Sequence, residues 1–179
     1  ATAAVMSFML WKGLQDTKSS TTPSVIDNIE VVPVDLAGVT SYDPNGDDRA
    51  ENENLVGFLI DNNPATQWTT ICYQNKYFGS KEGVGIVVQL TGIGIGTLKA
   101  NFANGPYNAD VFVSTADQIP KNLDDWGLRI ADAYSTEPGM ATFDVKSPAR
   151  HVLLYLREAG ASSGCSNTNP WQAQISDLS

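Results

Sequence analysis

Short apolar runs separated by turn-forming residues constrain the fold of this chain more than any other sequence feature. From Ile29 onward, stretches rich in β-branched and apolar residues end in clusters of Gly, Pro, Asn or Asp, and helical periodicity is nearly absent. Within residues 110–113 and 141–145, apolar and polar residues alternate, so the apolar side chains can share one face of a strand. This pattern predicts an all-β sandwich.

The boundaries of the runs predict individual strands and turns. Gly92–Gly96 (GIGIG) lacks the glycine spacing and the following helix of a dinucleotide-binding loop, so we predict a flexible turn between two strands. The acidic segment Asp43–Asp48 is predicted to be a solvated turn, because it departs from the calcium-loop pattern. The predicted strands are Ile29–Thr40, Leu55–Ile60, Val84–Leu90, Thr97–Phe102, Asp110–Ser114, Leu128–Ala133, Ala141–Val145, Val152–Arg157 and Gln172–Leu178.

Residues 1–28 are predicted to precede the folded domain, which we assign to residues 29–179. Ala1–Trp11 is apolar but too short to cross a bilayer, which needs about 20 residues. We interpret it as the remnant of a transmembrane anchor, with a packed helix as the alternative. Asp16–Ser24 (DTKSSTTPS) has the composition of a flexible linker. These features favour an extracytoplasmic domain that is tethered at its N-terminus.

The charge of the chain excludes two classes of partner. Eleven basic and twenty acidic residues give a formal net charge of −9 and a pI near 4.4. Most of the surface would repel nucleic acid. The Arg and Lys residues form no cluster that would bind anionic lipids. We therefore expect membrane contact only through the N-terminal anchor.

The two cysteines and the single histidine limit the chemistry available to the chain. Cys72 and Cys165 lack the spacing of a metal site, which leaves a disulfide or two free thiols. Both lie in polar, loop-like sequence, which favours the disulfide. His151 begins an apolar run, and no nucleophile motif accompanies it, so we predict a structural role and no catalytic activity.

The most specific motif is the sequence DNNPATQW at residues 61–68, in which an apolar run enters a turn that ends on an aromatic residue. Asp61 and Thr66 can bond within the turn, while Trp68 can close the edge of a sandwich. The segment resembles the Asp-Gly-(Asp/Asn)-x-x-Thr-x-Trp signature of discoidin-like domains, which include coagulation-factor C-type domains and many carbohydrate-binding modules. Asn62 replaces the usual Gly, and Asn also tolerates the left-handed conformation.

Three further segments agree with this resemblance: VTSYDPNG at 39–46, GVGIVVQL at 83–90 and ISDL at 175–178. Together they are similar to the extracytoplasmic C-terminal domain of lipid II flippase-like membrane proteins of actinobacteria. The resemblance covers about Ile29 to Ser179. It implies a galactose-binding-like jelly-roll sandwich that contacts its ligand through loops at one end.

The resemblance also implies a structural calcium site beside the turn. Its positions in this chain are Asp61, the Asn63 carbonyl, Thr66 and Asp177. Hard oxygen ligands from a tight turn suit calcium. The alternative is that these residues only shape the turn and cap a strand.

We predict a ligand-binding face around the aromatic-rich segment 72–81 (CYQNKYFGSK). A Cys72–Cys165 bridge would bring this segment beside residues 164–171. The face would offer rings for stacking, amides for hydroxyl groups, and lysines for an acidic group such as a muramyl carboxylate. The predicted ligand-binding residues are Tyr73, Gln74, Asn75, Lys76, Tyr77, Lys81, Asn167, Asn169 and Trp171.

The exposure of individual rings decides between a ligand face and a lid on the core. We expect Tyr73 and Tyr77 to be exposed, because their hydroxyl groups need water or a partner. Phe78 and Trp171 are nearly as well explained by packing inward. The leading hypothesis is a non-catalytic module that binds a glycan or a peptidoglycan-related ligand. The alternative is a domain that binds a protein of the cell envelope, and a secreted hydrolase is the third possibility considered.

Overall fold

The structure is a computed structural model that describes residues 34–179. The predicted anchor remnant, the predicted linker and the first residues of the predicted strand Ile29–Thr40 lie outside the described residues. Within residues 34–179, no helix has the length and apolar character needed to cross a membrane.

The described chain is built almost entirely from antiparallel strands. Two short 3₁₀ helices, Glu53–Leu59 and Leu123–Trp126, interrupt the strand order. The strands are β1 (Leu36–Tyr42), β2 (Trp68–Thr69), β3 (Val84–Phe102), β4 (Tyr107–Ser114), β5 (Ala131–Ser135), β6 (Gly139–Glu158), β7 (Ala161–Ser166), β8 (Asn169–Trp171) and β9 (Gln174–Leu178). The predicted all-β class is confirmed.

Two long strands organise the sandwich. β3 and β6 pair with each other along most of their lengths, in the strand order β2-β9-β3-β6-β4-β5. The first half of β3 also pairs with β1, and its second half pairs with β9. The inward side chains of both halves join one core cluster, so the halves face each other as the two layers of a jelly-roll β-sandwich.

The core of the sandwich is dominated by large, fully buried side chains. Trp68, Phe143 and Ile175 are at most 1% exposed. Phe102 stacks on Tyr107 with a centroid distance of 3.8 Å. Burial of each large apolar side chain stabilises the fold by about 2 kcal/mol. Trp68 pairs with Ile175 across β2 and β9, which confirms that the aromatic end of the segment 61–68 closes the sandwich.

The glycine-rich segment Gly92–Gly96 is not a turn between strands, as the sequence predicted. It lies inside β3, where the pairing with β6 shifts register between Gln89 and Gly96. Gly94 also approaches Val34, because a Cβ atom added there would lie 2.7 Å from Val34 Cγ2. Small residues therefore permit one strand to bend from one layer into the other. For the same reason Val84–Leu90 and Thr97–Phe102 form one strand.

The predicted strand Leu55–Ile60 is wrong, since residues 53–59 form a 3₁₀ helix. Val56 and Leu59 are buried and lie three residues apart, which matches the repeat of a 3₁₀ helix. A short apolar run does not distinguish a strand from such a helix by periodicity. The short strands β2, β7 and β8 were not predicted, because β2 has only two residues and the Ser, Gly and Asn content of β7 and β8 is typical of loops.

The outer face of β4 and β6 is covered by the loop that contains the second 3₁₀ helix. Trp126 from this loop packs with Tyr42, Phe112 and Tyr155 in a second apolar cluster. Beside this cluster, the buried Asp110 carboxylate accepts hydrogen bonds from Arg129 and Arg157, each at 2.8 Å. Charge-assisted bonds on both oxygens hold β4, β6 and the approach to β5 together.

The burial of His151 predicts a pH dependence of stability near neutral pH. The imidazole is 4% exposed, and its Nδ1 has no hydrogen-bond partner within residues 34–179. Burial, together with the positive charge of Arg150, lowers the pKa of His151 below its ordinary value of about 6.5. Folding therefore disfavours the protonated form. This contribution to stability is present above about pH 6.5 and is lost as the pH falls toward the lowered pKa.

We predict that the NMR titration of the imidazole has its midpoint below about pH 6.5. The chain has a single histidine, so the assignment is unambiguous. Thermal melts should give a lower Tm at pH 5 than at pH 7, and a His151→Gln variant should lose this part of the dependence. A midpoint above the ordinary value would contradict the burial of a neutral imidazole.

Candidate functional site

Four connections between strands meet at one end of the sandwich, which we call the loop end. They are residues 70–83, 103–106, 136–138 and 159–173. Asn104 joins two of them by donating to the carbonyls of Ala161 and Gln172, at 3.2 and 2.8 Å. Gly160 packs so closely that an added Cβ would lie 2.6 Å from Gly105 O. The loop end is therefore a packed surface.

The predicted disulfide between Cys72 and Cys165 is confirmed, with Cα atoms 5.8 Å apart. Next to it, the backbone of Tyr73 pairs with Trp171, through N–H groups that donate in both directions at 2.7 and 3.2 Å. The bridge thus brings the segment 72–81 beside the hairpin of β7 and β8, as the sequence predicted. The bridge also joins two cysteines that are 93 positions apart in the sequence.

Tyr73 is not exposed, so this part of the predicted ligand face is wrong. The side chain is 7% exposed, and its ring packs edge-on against Phe78 at a centroid distance of 5.2 Å. Its hydroxyl group donates to Glu51 Oε2 at 2.7 Å. Because a buried carboxylate satisfies this hydroxyl, Tyr73 needs no contact with water or a ligand.

Lys81 is also part of the scaffold and not a free cation. Its ammonium group pairs with the buried Asp43 carboxylate and lies 3.4 Å from Glu51 Oε2. Burial by itself lowers the pKa of Lys81, but the hydrogen bond to Asp43 and the charge of Glu51 raise it above its ordinary value. The segment Asp43–Asp48 is therefore no simple solvated turn, because its first carboxylate is buried under the loop end.

Lys76 pairs with a carboxylate that the sequence analysis did not identify. Its ammonium group forms an ion pair with Glu158, which lies at the end of β6 and is 6% exposed. The same ammonium group lies 4.9 Å from the centroid of the Tyr77 ring. The two lysines proposed to receive an acidic group of a ligand are thus both paired within the protein.

A tight turn separates one buried ring from one exposed ring in the segment 75–79. Asn75 Oδ1 accepts the backbone N–H groups of Tyr77 and Gly79, at 2.9 and 3.2 Å. Phe78 adopts a left-handed conformation with φ of 62°, and its side chain is fully buried. This strained residue turns its ring into the core while Tyr77 stays 56% exposed. The exposure expected for Tyr77 is confirmed.

The other predicted ligand residues lie on the two sides of the disulfide. Gln74 is exposed beside Tyr77, while Asn167 and Asn169 are exposed at the tip of the β7–β8 hairpin. Trp171 is half-buried and packs against the main core, as its alternative interpretation expected. Residues 161–174 contain no charged side chain. The exposed part of this face is therefore aromatic and amide-rich, without free charge.

Sequence analysis missed a second exposed ring at the loop end. Tyr134, on β5, is 61% exposed. The predicted strand Leu128–Ala133 ended two residues before the observed end of β5 at Ser135 and so left Tyr134 out. The alternation over Ala131–Ser135, with small apolar residues inward and Asp132 and Tyr134 outward, could have identified it.

Three of the oxygen atoms named in the calcium prediction lie close together in the turn at residues 61–66. Thr66 Oγ1 lies 2.8 Å from Asp61 Oδ2 and 2.7 Å from Asn63 O. The Thr66 hydroxyl thus closes the turn against two oxygens that the calcium prediction also names as ligands. Asn62 has the left-handed φ, 57°, that the signature requires. Asp177 lies on the neighbouring β9, opposite Asn101.

We predict that Tyr73→Phe lowers the free energy of unfolding by about 1–3 kcal/mol. The substitution removes the donor to Glu51 and leaves a buried carboxylate with one partner fewer. Chemical denaturation measures the change. Tyr77→Phe is the matched control from the same loop and should leave stability unaltered. Equal stability of the two variants would contradict the structural role of Tyr73 and favour a role in ligand binding.

No model of a known protein family matches the sequence. Solved structures with a similar fold include carbohydrate-binding modules. The CBM32 module of AlyQ in complex with 4,5-unsaturated mannuronic acid is 19% identical and superposes with a TM-score of 0.52, over 80% of this chain and 93% of that chain. Chitosan-binding module 1 of a chitosanase/glucanase from Paenibacillus sp. IK-5 is 16% identical with a TM-score of 0.54, over 80% and 92% of the two chains.

A third similar structure contains the CBM32-1 and CBM32-2 domains of ZmpB from Clostridium perfringens. It is 14% identical with a TM-score of 0.53, and the match covers 80% of this chain and 34% of that chain. At these identities the likeness concerns the fold. The chain has the discoidin-like, galactose-binding-like jelly-roll β-sandwich fold that CBM32 carbohydrate-binding modules also adopt.

Proposed function

We propose that this domain is a non-catalytic module that binds a glycan at its loop end. The observation that carries the proposal is the exposed Tyr77 ring, held outward by a tight turn, on a loop end that also exposes the amides of Gln74, Asn167 and Asn169. An exposed ring can stack on the apolar face of a sugar, while amides bind its hydroxyl groups. Two modules of the same fold bind carbohydrate, a mannuronic acid derivative in one case and chitosan in the other, which supports the proposal.

The proposed ligand is an uncharged glycan. Lys76 and Lys81 are neutralised by Glu158 and by Asp43 with Glu51, so neither is free to bind a carboxylate. The net charge of −9 further disfavours an acidic polymer. A muramyl carboxylate is therefore not among the proposed contacts. The N-acetylated sugars of peptidoglycan remain compatible with the face.

The cellular context is part of the same proposal. A disulfide persists in oxidising compartments, which supports an extracytoplasmic location. The resemblance to the external domain of flippase-like membrane proteins, and the apolar and Ser/Thr-rich residues 1–28, support an N-terminal tether at the cell envelope. The non-catalytic assignment is supported by the burial of the sole histidine, where a substrate would not reach it.

A protein partner from the envelope is the second candidate, and one observation favours it. At the far end from the loop end, an apolar groove of about 590 Å³ lies between β1 and the glycine-rich bend of β3. Leu36 and Ile95 line this groove and are exposed. Exposed apolar surface of this kind is typical of protein contacts. The two candidates thus use opposite ends of the domain.

We predict that Tyr77→Ala weakens binding to immobilised N-acetylglucosamine oligomers and to peptidoglycan by about tenfold or more. Loss of a stacked ring removes about 1.4 kcal/mol or more of contact energy. Affinity electrophoresis and calorimetry measure the effect. Leu128→Ala, which removes an exposed side chain from a different loop, is the control. Unaltered binding by Tyr77→Ala, with Tm unchanged, would contradict the proposed face.

We also propose a calcium ion at the turn of Asp61, Asn63 and Thr66, with Asp177 as a further ligand. Calcium at about 100 times its Kd should raise the Tm by about 5 °C or more relative to excess chelator. Asp61→Asn should abolish the difference. Asp47→Asn, an exposed carboxylate in another loop, should retain it. Identical melting curves of the wild-type protein with calcium and with chelator would contradict the site.

A further inference from the structure

We propose that the glycan site extends from Tyr77 across the sheet to Tyr134, which makes this module a binder of oligosaccharide chains and not of terminal sugars alone. The inference rests on the proposed function. The surface concerned, which we call the binding row, consists of Tyr77, Lys76, Glu158, Asn108 and Tyr134. Its two end members are the exposed rings of the loop end, and its middle members are polar.

The strand register places the members of the binding row side by side. Tyr134 on β5 pairs with Asn108 on β4, and Asn108 pairs with Glu158 on β6. Directly paired residues of antiparallel strands project to the same face of a sheet. Lys76 continues the row, because its carbonyl accepts the backbone N–H of Ala159 at 2.8 Å while its ammonium group pairs with Glu158.

Asn108 and Tyr134, the members of the binding row on β4 and β5, lie on the outward face of the sheet, while their neighbour Glu158 is 6% exposed. Tyr107 and Ala109, the neighbours of Asn108, belong to the main core, so Asn108 projects away from it. Ala131 and Ala133 likewise pack on the core, whereas Tyr134 is 61% exposed and belongs to neither apolar cluster. Packing in the core therefore does not explain why an aromatic residue occupies position 134.

The middle of the binding row is polar but electrically balanced. Glu158 neutralises Lys76, and the same ammonium group lies over the Tyr77 ring, 4.9 Å from its centroid. Asn108 adds an amide between the ion pair and Tyr134. Hydrogen-bonding groups between two rings match the alternation of apolar faces and hydroxyl groups along a sugar chain.

The separation of the two rings sets the size of the ligand. Neighbouring strands lie about 4.8 Å apart, so the backbone positions of Tyr134 and Glu158 are about 9.6 Å apart. Tyr77 adds to this separation, because it is linked to Glu158 only through the ammonium group of Lys76, which contacts both. One sugar ring cannot contact both tyrosines. A chain of several sugars is needed to bridge the binding row.

The test uses calorimetry with N-acetylglucosamine oligomers of one to six units. Binding of the wild-type protein should strengthen with length until both rings are covered and then level off. Tyr134→Ala should remove the gain for the longer oligomers, a loss of about fivefold to tenfold in affinity, and leave the affinity for the shortest bound oligomer unchanged. Met140→Ala, which truncates another exposed side chain, is the control for surface changes. All variants should keep the wild-type Tm.

The outcomes separate this inference from the proposed function. If Tyr77→Ala weakens binding but Tyr134→Ala binds every oligomer as the wild-type protein does, the extended row is overturned and the glycan site at Tyr77 stands. Equal weakening of all lengths by Tyr134→Ala would also overturn it, since a second contact must depend on length. If the wild-type protein binds no oligomer of the series, both the proposed function and the inference fail.

Discussion

The buried Glu51 carboxylate is the interaction on which the loop end depends. Its oxygens accept hydrogen bonds from the Ile71 backbone and the Tyr73 hydroxyl, at 2.5 and 2.7 Å. The carbonyl of the same residue accepts the indole N–H of Trp68 at 2.9 Å. A buried carboxylate is costly unless it is fully bonded, so these partners are held in one arrangement. Glu51 thereby links Trp68 of β2 to the start of the segment 72–81.

Three separate attachments fix the segment 72–81 around this carboxylate. The Glu51 network holds Tyr73, the disulfide holds Cys72, and Glu158 holds Lys76. A loop with this many anchors loses little conformational entropy when a ligand binds. These anchors explain how the loop end can present a defined ring without further ordering.

The sequence predicted those features that depend on local patterns or on a single long-range bond. Alternation and turn residues predicted the sandwich, the segment 61–68 predicted the turn and its left-handed Asn62, and the loop-like surroundings of Cys72 and Cys165 favoured their bridge. The burial of Tyr73 was not predictable, because it depends on Glu51, which lies 22 residues earlier in the chain. The exposure of Tyr134 could have been read from the alternation in β5, but its position two strands from Glu158 follows from strand order, which no local pattern contains.

The pairing of the lysines affects how copies of the domain would bind beside each other on one polymer. The charge of −9 is carried by the domain as a whole, while the hairpin 161–174 has no charge and the lysines of the loop end are neutralised. Contact with a neutral polymer is then insensitive to ionic strength, since few ions are released on binding. Neighbouring copies on one polymer still repel each other through their remaining surfaces. For the proposed glycan ligand, this charge distribution would suit spaced, salt-tolerant coverage of a polysaccharide and not dense clustering.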